Sequence, residues 1–208
     1  MKAKFLITLI CFGATAGTVS AQSGDDHSMR KLYLDFGGSV GVFIPVDNAA
    51  DQRASYGSNA MTSLQLNYRQ NYFIKLQFGQ TTVDFKSQNL FGGITSRVNT
   101  KANSTNLGLA VGFQRSFGRW QPFVLAGTGV SFMDVPATSF DSNTNIVNYS
   151  TLSGTYLYVN AGGGINFKIS KSFTVFLEGQ GSTIPNIPKN SNTHLSGISA
   201  LLGIKAPL

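Results

Sequence analysis

Beyond residue 21, apolar side chains recur at every second position in segment after segment, and no run of them approaches the ~20 residues a membrane-spanning helix needs. In residues 31–43 the even positions Leu32, Leu34, Phe36, Val40 and Val42 are apolar, while Tyr33, Asp35, Gly37, Ser39 and Gly41 are polar or small. A helix would return its apolar residues at intervals of three and four. An interval of two belongs to a strand whose two faces meet different surroundings. Charged residues form 12% of the chain, about half the ~25% usual in soluble domains, so the apolar faces have few charges to keep them in water.

The same alternation marks seven further segments. Residues 60–69 send Leu64, Leu66 and Tyr68 one way and Gln65, Asn67 and Arg69 the other. From Tyr72 on, Ile74, Leu76 and Phe78 oppose Lys75, Gln77 and Gly79; the phase then changes before Val83, which predicts a β-bulge between Gly79 and Thr82. Residues 104–116 set Leu107, Leu109, Val111 and Phe113 against Asn106, Gly108, Gly112 and Gln114. In residues 121–133, Phe123 and Leu125 fit one phase and Val124, Val130 and Phe132 the other, so the facing of this fifth strand is open. The sixth opposes Leu157, Val159, Ala161 and Ile165 to Tyr158, Asn160, Gly162 and Asn166. The seventh opposes Phe173, Val175 and Leu177 to Glu178 and Gln180, and the eighth opposes Ile198, Ala200, Leu202 and Ile204 to Ser199, Gly203 and Lys205.

Connections alternate in length. Residues 45–59, 87–103, 134–154 and 182–193 are rich in Asn, Ser, Thr, Asp, Gly and Pro and read as long loops, whereas those near Gln70, Gly118 and Lys171 are short. Eight strands with long loops at one end predict an all-β fold, an eight-stranded antiparallel up-and-down transmembrane β-barrel. An even strand number lets the last strand pair the first, leaving no unpaired backbone edge in hydrocarbon.

Lys2 and Lys4, the apolar stretch 5–12 and Val19-Ser20-Ala21 have the form of a cleavable signal peptide, residues 1–21. A polar linker, 22–30, and the barrel, 31–208, complete the expected organisation, and export directs the chain to a cell outer membrane. The single cysteine, Cys11, falls in the leader, so disulfides, thiolate metal sites and cysteine nucleophiles drop out of the mature chain.

A Lys or Arg facing lipid at mid-bilayer costs about 2–4 kcal/mol, so the Leu/Ile/Val/Phe faces are expected outward and the charged ones inward. An eight-stranded barrel is just wide enough for its own side chains, which predicts a polar, filled lumen instead of a wide pore. Its charged members are expected to be Asp35, Arg69, Lys75, Lys168 and Glu178, with the pairing of acids and bases open. Near the short turns, Arg30, Lys31, Arg69, Arg115, Arg119, Lys168, Lys171 and Lys205 cluster with Tyr72, Phe117, Trp120, Phe123, Phe167 and Phe173. Such a rim is expected to be a periplasmic interfacial girdle, centred on Tyr72, Arg115, Phe117, Arg119, Trp120, Lys171 and Phe173, facing anionic headgroups. Nucleic acid is not an expected partner, because the basic residues are scattered over strand ends instead of lining one groove.

For chemistry the candidates are few. No His/Cys cluster has metal-ligand spacing, and neither a metal nor another cofactor is expected. His194 and Ser196 stand two apart at the start of the last strand, on one face, and this His-x-Ser spacing resembles the catalytic strand of the lipid A deacylases. That resemblance implies a lipid-modifying esterase with His194 as base and Ser196 as nucleophile. The chain departs from it at Gly197, where those enzymes carry Asn, and no acid follows Glu178. A second resemblance is broader. Residues 120–129, Trp-Gln-Pro-Phe-Val-Leu-Ala-Gly-Thr-Gly, and the closing Leu202-Gly203-Ile204 are similar to the outer membrane protein β-barrel domain family, the small OmpA- and OmpX-like eight-stranded barrels. It is silent about function. The chain is read as having a non-enzymatic structural or interaction role in the envelope, with the lipid-modifying esterase as the alternative. The expected partners are outer-membrane lipids and lipopolysaccharide, the barrel-assembly machinery during biogenesis, and a protein bound through the long loops. That family often ends on an aromatic residue, where this chain has Leu208.

Overall fold

The computed structural model describes residues 32–46, 52–91, 94–141, 146–184 and 196–208. The expected signal peptide (1–21) and linker (22–30, with Arg30), Lys31 and His194 lie outside the described residues. Eight strands form one closed antiparallel barrel in chain order: β1 (Leu32–Pro45), β2 (Gln52–Tyr68), β3 (Tyr72–Phe91), β4 (Ile94–Gln114), β5 (Trp120–Asp141), β6 (Ile146–Lys168), β7 (Thr174–Thr183) and β8 (Gly197–Pro207). One circuit of backbone partners runs Asp35, Gln65, Lys75, Ala110, Gly127, Asn160, Ser182, Gly197 and returns to β1 at Pro45. The sheet therefore closes with a stagger of ten residues, which tilts the strands by about 35–45° from the barrel axis.

Three of the four expected long loops are largely strand. β3 and β4 pair without interruption from Tyr72↔Phe113 to Phe91↔Ile94, and β5 and β6 from Trp120↔Phe167 to Asp141↔Ile146. β3 to β6 have 20 to 23 residues, about twice the 9–11 that cross a bilayer, so they continue as hairpins beyond it. Once two neighbours are paired, each added residue pair extends the ladder without a new loop to close, and Asn, Ser and Thr do not prevent that. The connections at the other end are tight. Arg69 and Gln70, with φ of 48° and 63°, reverse the chain between β2 and β3; Gly118, φ 62°, does so between β4 and β5. Between β6 and β7, Ser170 Oγ accepts the Ser172 and Phe173 N–H groups at 3.2 and 3.1 Å.

Facing follows the alternation. Leu32, Phe36, Val40, Leu66, Ile74, Leu76, Leu107, Leu109, Val111, Leu157, Leu177, Leu202 and Ile204 are all exposed, and together they make an apolar belt around the cylinder. Replacing the belt residue Leu109 by Arg is expected to cost about 2–4 kcal/mol of folding free energy, read from urea titration of the chain folded into phospholipid vesicles; a cost below about 1 kcal/mol would contradict a lipid-facing position.

The fifth strand resolves as Gln121, Phe123, Leu125, Ser131 and Met133 inward, with Val124, Val130 and Phe132 outward. No bulge occurs between Gly79 and Thr82. The β3 register is unbroken there, and the one shift in the β2–β3 ladder lies on β2, between Ala54 and Gly57. The change of phase in the sequence has another cause. Past the belt, Gln80 and Asp84 face outward into a polar medium while Val83 faces inward and is fully buried, so polarity inverts although the strand does not.

Candidate functional site: a filled lumen and a basic rim

Inside the barrel the side chains stack in layers. At the short-turn end, Asn67 Nδ2 donates to Asp35 Oδ2 at 2.9 Å, and Asn67 Oδ1 accepts from Gln65 Nε2 at 2.7 Å and Gln114 Nε2 at 3.0 Å. Above it Phe73, Ala110, Phe123 and Leu125 form an apolar cluster, Phe73 and Phe123 meeting edge to face at 6.2 Å. Lys75 and Glu178 come next, joined through Nζ and Oε2 at 2.7 Å with side-chain exposures of 5% and 0%. The Lys75 ammonium also lies 5.5 Å from the ring centre of buried Phe176. Asn160 Nδ2 donates to Gln77 Oε1 at 2.8 Å. Toward the hairpins, Phe43, Val83, Ala102, Met133, Tyr158 and Ile184 close the interior with a second apolar cluster.

A cavity of about 10 Å³, lined by Asn59, Met61, Gln77, Asn106, Tyr158 and Gln180 among others, has room for about one water molecule. The lumen is filled. The filling is not wholly polar as expected, since two apolar clusters enclose the ion pair and the Asn160–Gln77 pair between them. The signal was present in Phe123 and Leu125, whose phase conflicts with their strand, but only the closed barrel shows them facing inward.

Of the five charged residues expected inside, Asp35, Lys75 and Glu178 are buried. Arg69 is not in the lumen, because β2 ends at Tyr68 and the left-handed backbone at Arg69 breaks the alternation that would have carried it inward; its guanidinium lies 5.2 Å over the Tyr68 ring. Lys168, the last residue of β6, is exposed at the barrel mouth. Lys205, expected on the inward face of β8, pairs across to Gly37 and is half-buried near Asp35.

The rim residues gather at the short-turn end. Tyr72, Phe117, Trp120 and Phe173 are exposed, as are Arg115, Arg119 and Lys171. Tyr72 packs edge-on to Phe113 at 5.5 Å, and Trp120 lies 4.6 Å from Phe167. The Arg115 guanidinium sits 5.4 Å over the Phe117 ring, and Phe117 and Trp120 exchange backbone hydrogen bonds of 2.7 and 3.1 Å. Phe123, expected with them, is instead buried in the lumen.

At the start of β8 the Ser196 hydroxyl shares a 2.9 Å hydrogen bond with Thr183 Oγ1, and the Ser196 carbonyl accepts the Val46 N–H at 3.0 Å. Among the described residues, no group of three or more His, Cys, Asp or Glu is placed to hold a metal.

A closed, filled cylinder with an exposed apolar belt, each strand paired to both its neighbours across the belt and an aromatic rim is a membrane-spanning β-barrel of the outer-membrane type. Neisserial surface protein A is similar in fold, with a TM-score of 0.50 and 11% identity over 85% of this chain and 97% of that one. A major outer membrane protein from Thermus thermophilus is similar with a TM-score of 0.51 and 11% identity over 84% of this chain and 99% of the other. No family profile matches the chain, and no curated protein matches it in sequence.

Proposed function

We propose that this chain is a non-enzymatic outer-membrane barrel, with its long hairpins outside the cell and its short turns on the periplasmic side, and that the hairpins contact a partner or lipopolysaccharide. The filled lumen carries this reading. A cylinder whose interior is occupied by its own side chains transports no solute of useful size, which leaves its outer surface and its hairpins as the parts able to act. Strands of 20–23 residues hold those hairpins on a continuous ladder, a rigid support for a contact surface. Assembly would pass through the barrel-assembly machinery, reading Leu202, Ile204 and Leu208 as the apolar series of the last strand.

The esterase alternative gains little from Ser196, whose described side-chain partner is the hydroxyl of Thr183. Two measurements on cells test the proposal. The protein is expected to stay in membranes through carbonate and high-salt washes, and protease added to intact cells is expected to cut between β3 and β4 or between β5 and β6 while sparing the three short turns. Release without detergent would sink it. Replacing His194 and Ser196 by Ala is expected to leave lipid A unchanged, and loss of a lipid A modification with the barrel still folded would favour the enzyme.

A further inference from the structure

The short-turn rim is more than scattered surface charge, because backbone hydrogen bonds tie its turns into one arc. The Gln114 N–H donates to the Asn71 carbonyl at 2.7 Å, joining the β2–β3 turn to the β4–β5 turn, and the Lys168 N–H donates to the Arg119 carbonyl at 2.9 Å, joining that turn to the end of β6. Five exposed cations follow this arc: Arg69, Arg115, Arg119, Lys168 and Lys171. None forms a salt bridge with a described acid. The only described side-chain carboxylate at this end, Asp35, is buried and bonded to Asn67, while exposed Asp84 and Asp134 lie at the hairpin end.

Two of the five are preorganised. Arg69 and Arg115 each lie over an exposed aromatic ring, Tyr68 and Phe117, at 5.2 and 5.4 Å. Attraction to the ring holds each guanidinium at the rim without using its N–H groups as a salt bridge would, and the guanidinium fork matches two oxygens of a phosphate. The rings border the apolar belt, so the forks stand where the headgroups of the lipids around the barrel stand.

We propose that this arc is a binding site for the phosphates of anionic phospholipids in the leaflet at the short-turn end, and that it enriches those lipids around one side of the barrel, from β2 to β7. The site rests on the reading of the chain as a membrane-spanning barrel. Each basic residue near an anionic surface contributes about 1 kcal/mol, roughly a fivefold preference.

Trp120 supplies the probe. It is the only tryptophan in the chain, is 52% exposed and sits between the turn cations and Phe167. The full chain would be folded into phosphatidylcholine vesicles containing brominated phosphatidylglycerol or, separately, brominated phosphatidylcholine, and quenching of Trp120 would give the relative binding of the two lipids. At low salt phosphatidylglycerol is expected to be preferred at least about fivefold. Raising the salt, or combining Arg69→Gln, Arg115→Gln and Arg119→Gln, is expected to bring the ratio close to one. Lys101→Gln, at the hairpin end, is expected to leave it unchanged. A parent ratio near one at low salt overturns the site, and so does a preference that survives the triple replacement in a protein that still runs as a folded barrel on an unheated gel. A chain that does not insert into vesicles at all fails the membrane-spanning reading itself, which separates the two.

Discussion

Glu178→Ala is expected to lower the unfolding free energy of the vesicle-folded barrel by about 3–5 kcal/mol, seen as a large shift of the urea midpoint. The carboxylate is wholly buried and meets the Lys75 ammonium at 2.7 Å, in a layer lying between apolar clusters. Deleting it leaves a buried cation whose described salt-bridge partner has gone, and the desolvation already incurred by Lys75 is no longer offset. Lys75→Ala is expected to cost a similar amount for the mirror-image reason. Replacing both, as Lys75→Met with Glu178→Leu, is expected to restore most of the loss, because an apolar pair of similar volume needs no charge compensation. The cycle is decisive through its asymmetry: singles that cost under about 1 kcal/mol, or a double as damaging as their sum, would show that the pair is not a desolvated, mutually dependent unit.

Gly41→Ala is expected to prevent most of the chain from closing into a barrel, whereas Gly38→Ala, three residues away on the same strand, is expected to be silent. A Cβ on Gly41 would fall 1.9 Å from the Ala200 carbonyl oxygen and 2.9 Å from the Leu201 Cα, both backbone atoms of the strand that closes the cylinder. No rotamer relieves that contact, so β1 and β8 must separate, and each backbone group then left unpaired in hydrocarbon costs several kcal/mol. A Cβ on Gly38 meets nothing within 4 Å. The folded fraction, read from migration on an unheated gel after transfer into vesicles, should distinguish them. Equal folding of the two variants would mean that the seam tolerates a wider spacing than its geometry allows.

The residues most easily read in advance were those whose surroundings depend only on strand period and on the cost of charge in lipid. Leu107, Leu109 and Val111 outward, with Gly108 and Gln114 inward, needed no knowledge of neighbours. The inward direction of Lys75 and Glu178 followed in the same way, but their pairing did not. They are 103 positions apart in sequence, on β3 and β7, strands that are not adjacent in the sheet. What joins them is the stagger on closure and the narrowness of the lumen, both properties of the whole circuit.

The misreadings have a common cause as well. Arg69, the supposed bulge between Gly79 and Thr82, and the loops that turned out to be paired strand all lie where a strand leaves the hydrocarbon. There the rule that apolar means outward ceases to hold, and a local pattern carries no mark of where the membrane ends. The sequence by itself determined that eight two-faced strands must close on one another, since alternation decides which face tolerates lipid and hydrocarbon tolerates no free edge. Only the tertiary structure decided the ten-residue stagger, the Lys75–Glu178 partnership, the apolar clusters that seal the lumen and the joining of three turns into one basic arc, because each depends on which strands come together and how far they slide along one another before their hydrogen bonds lock.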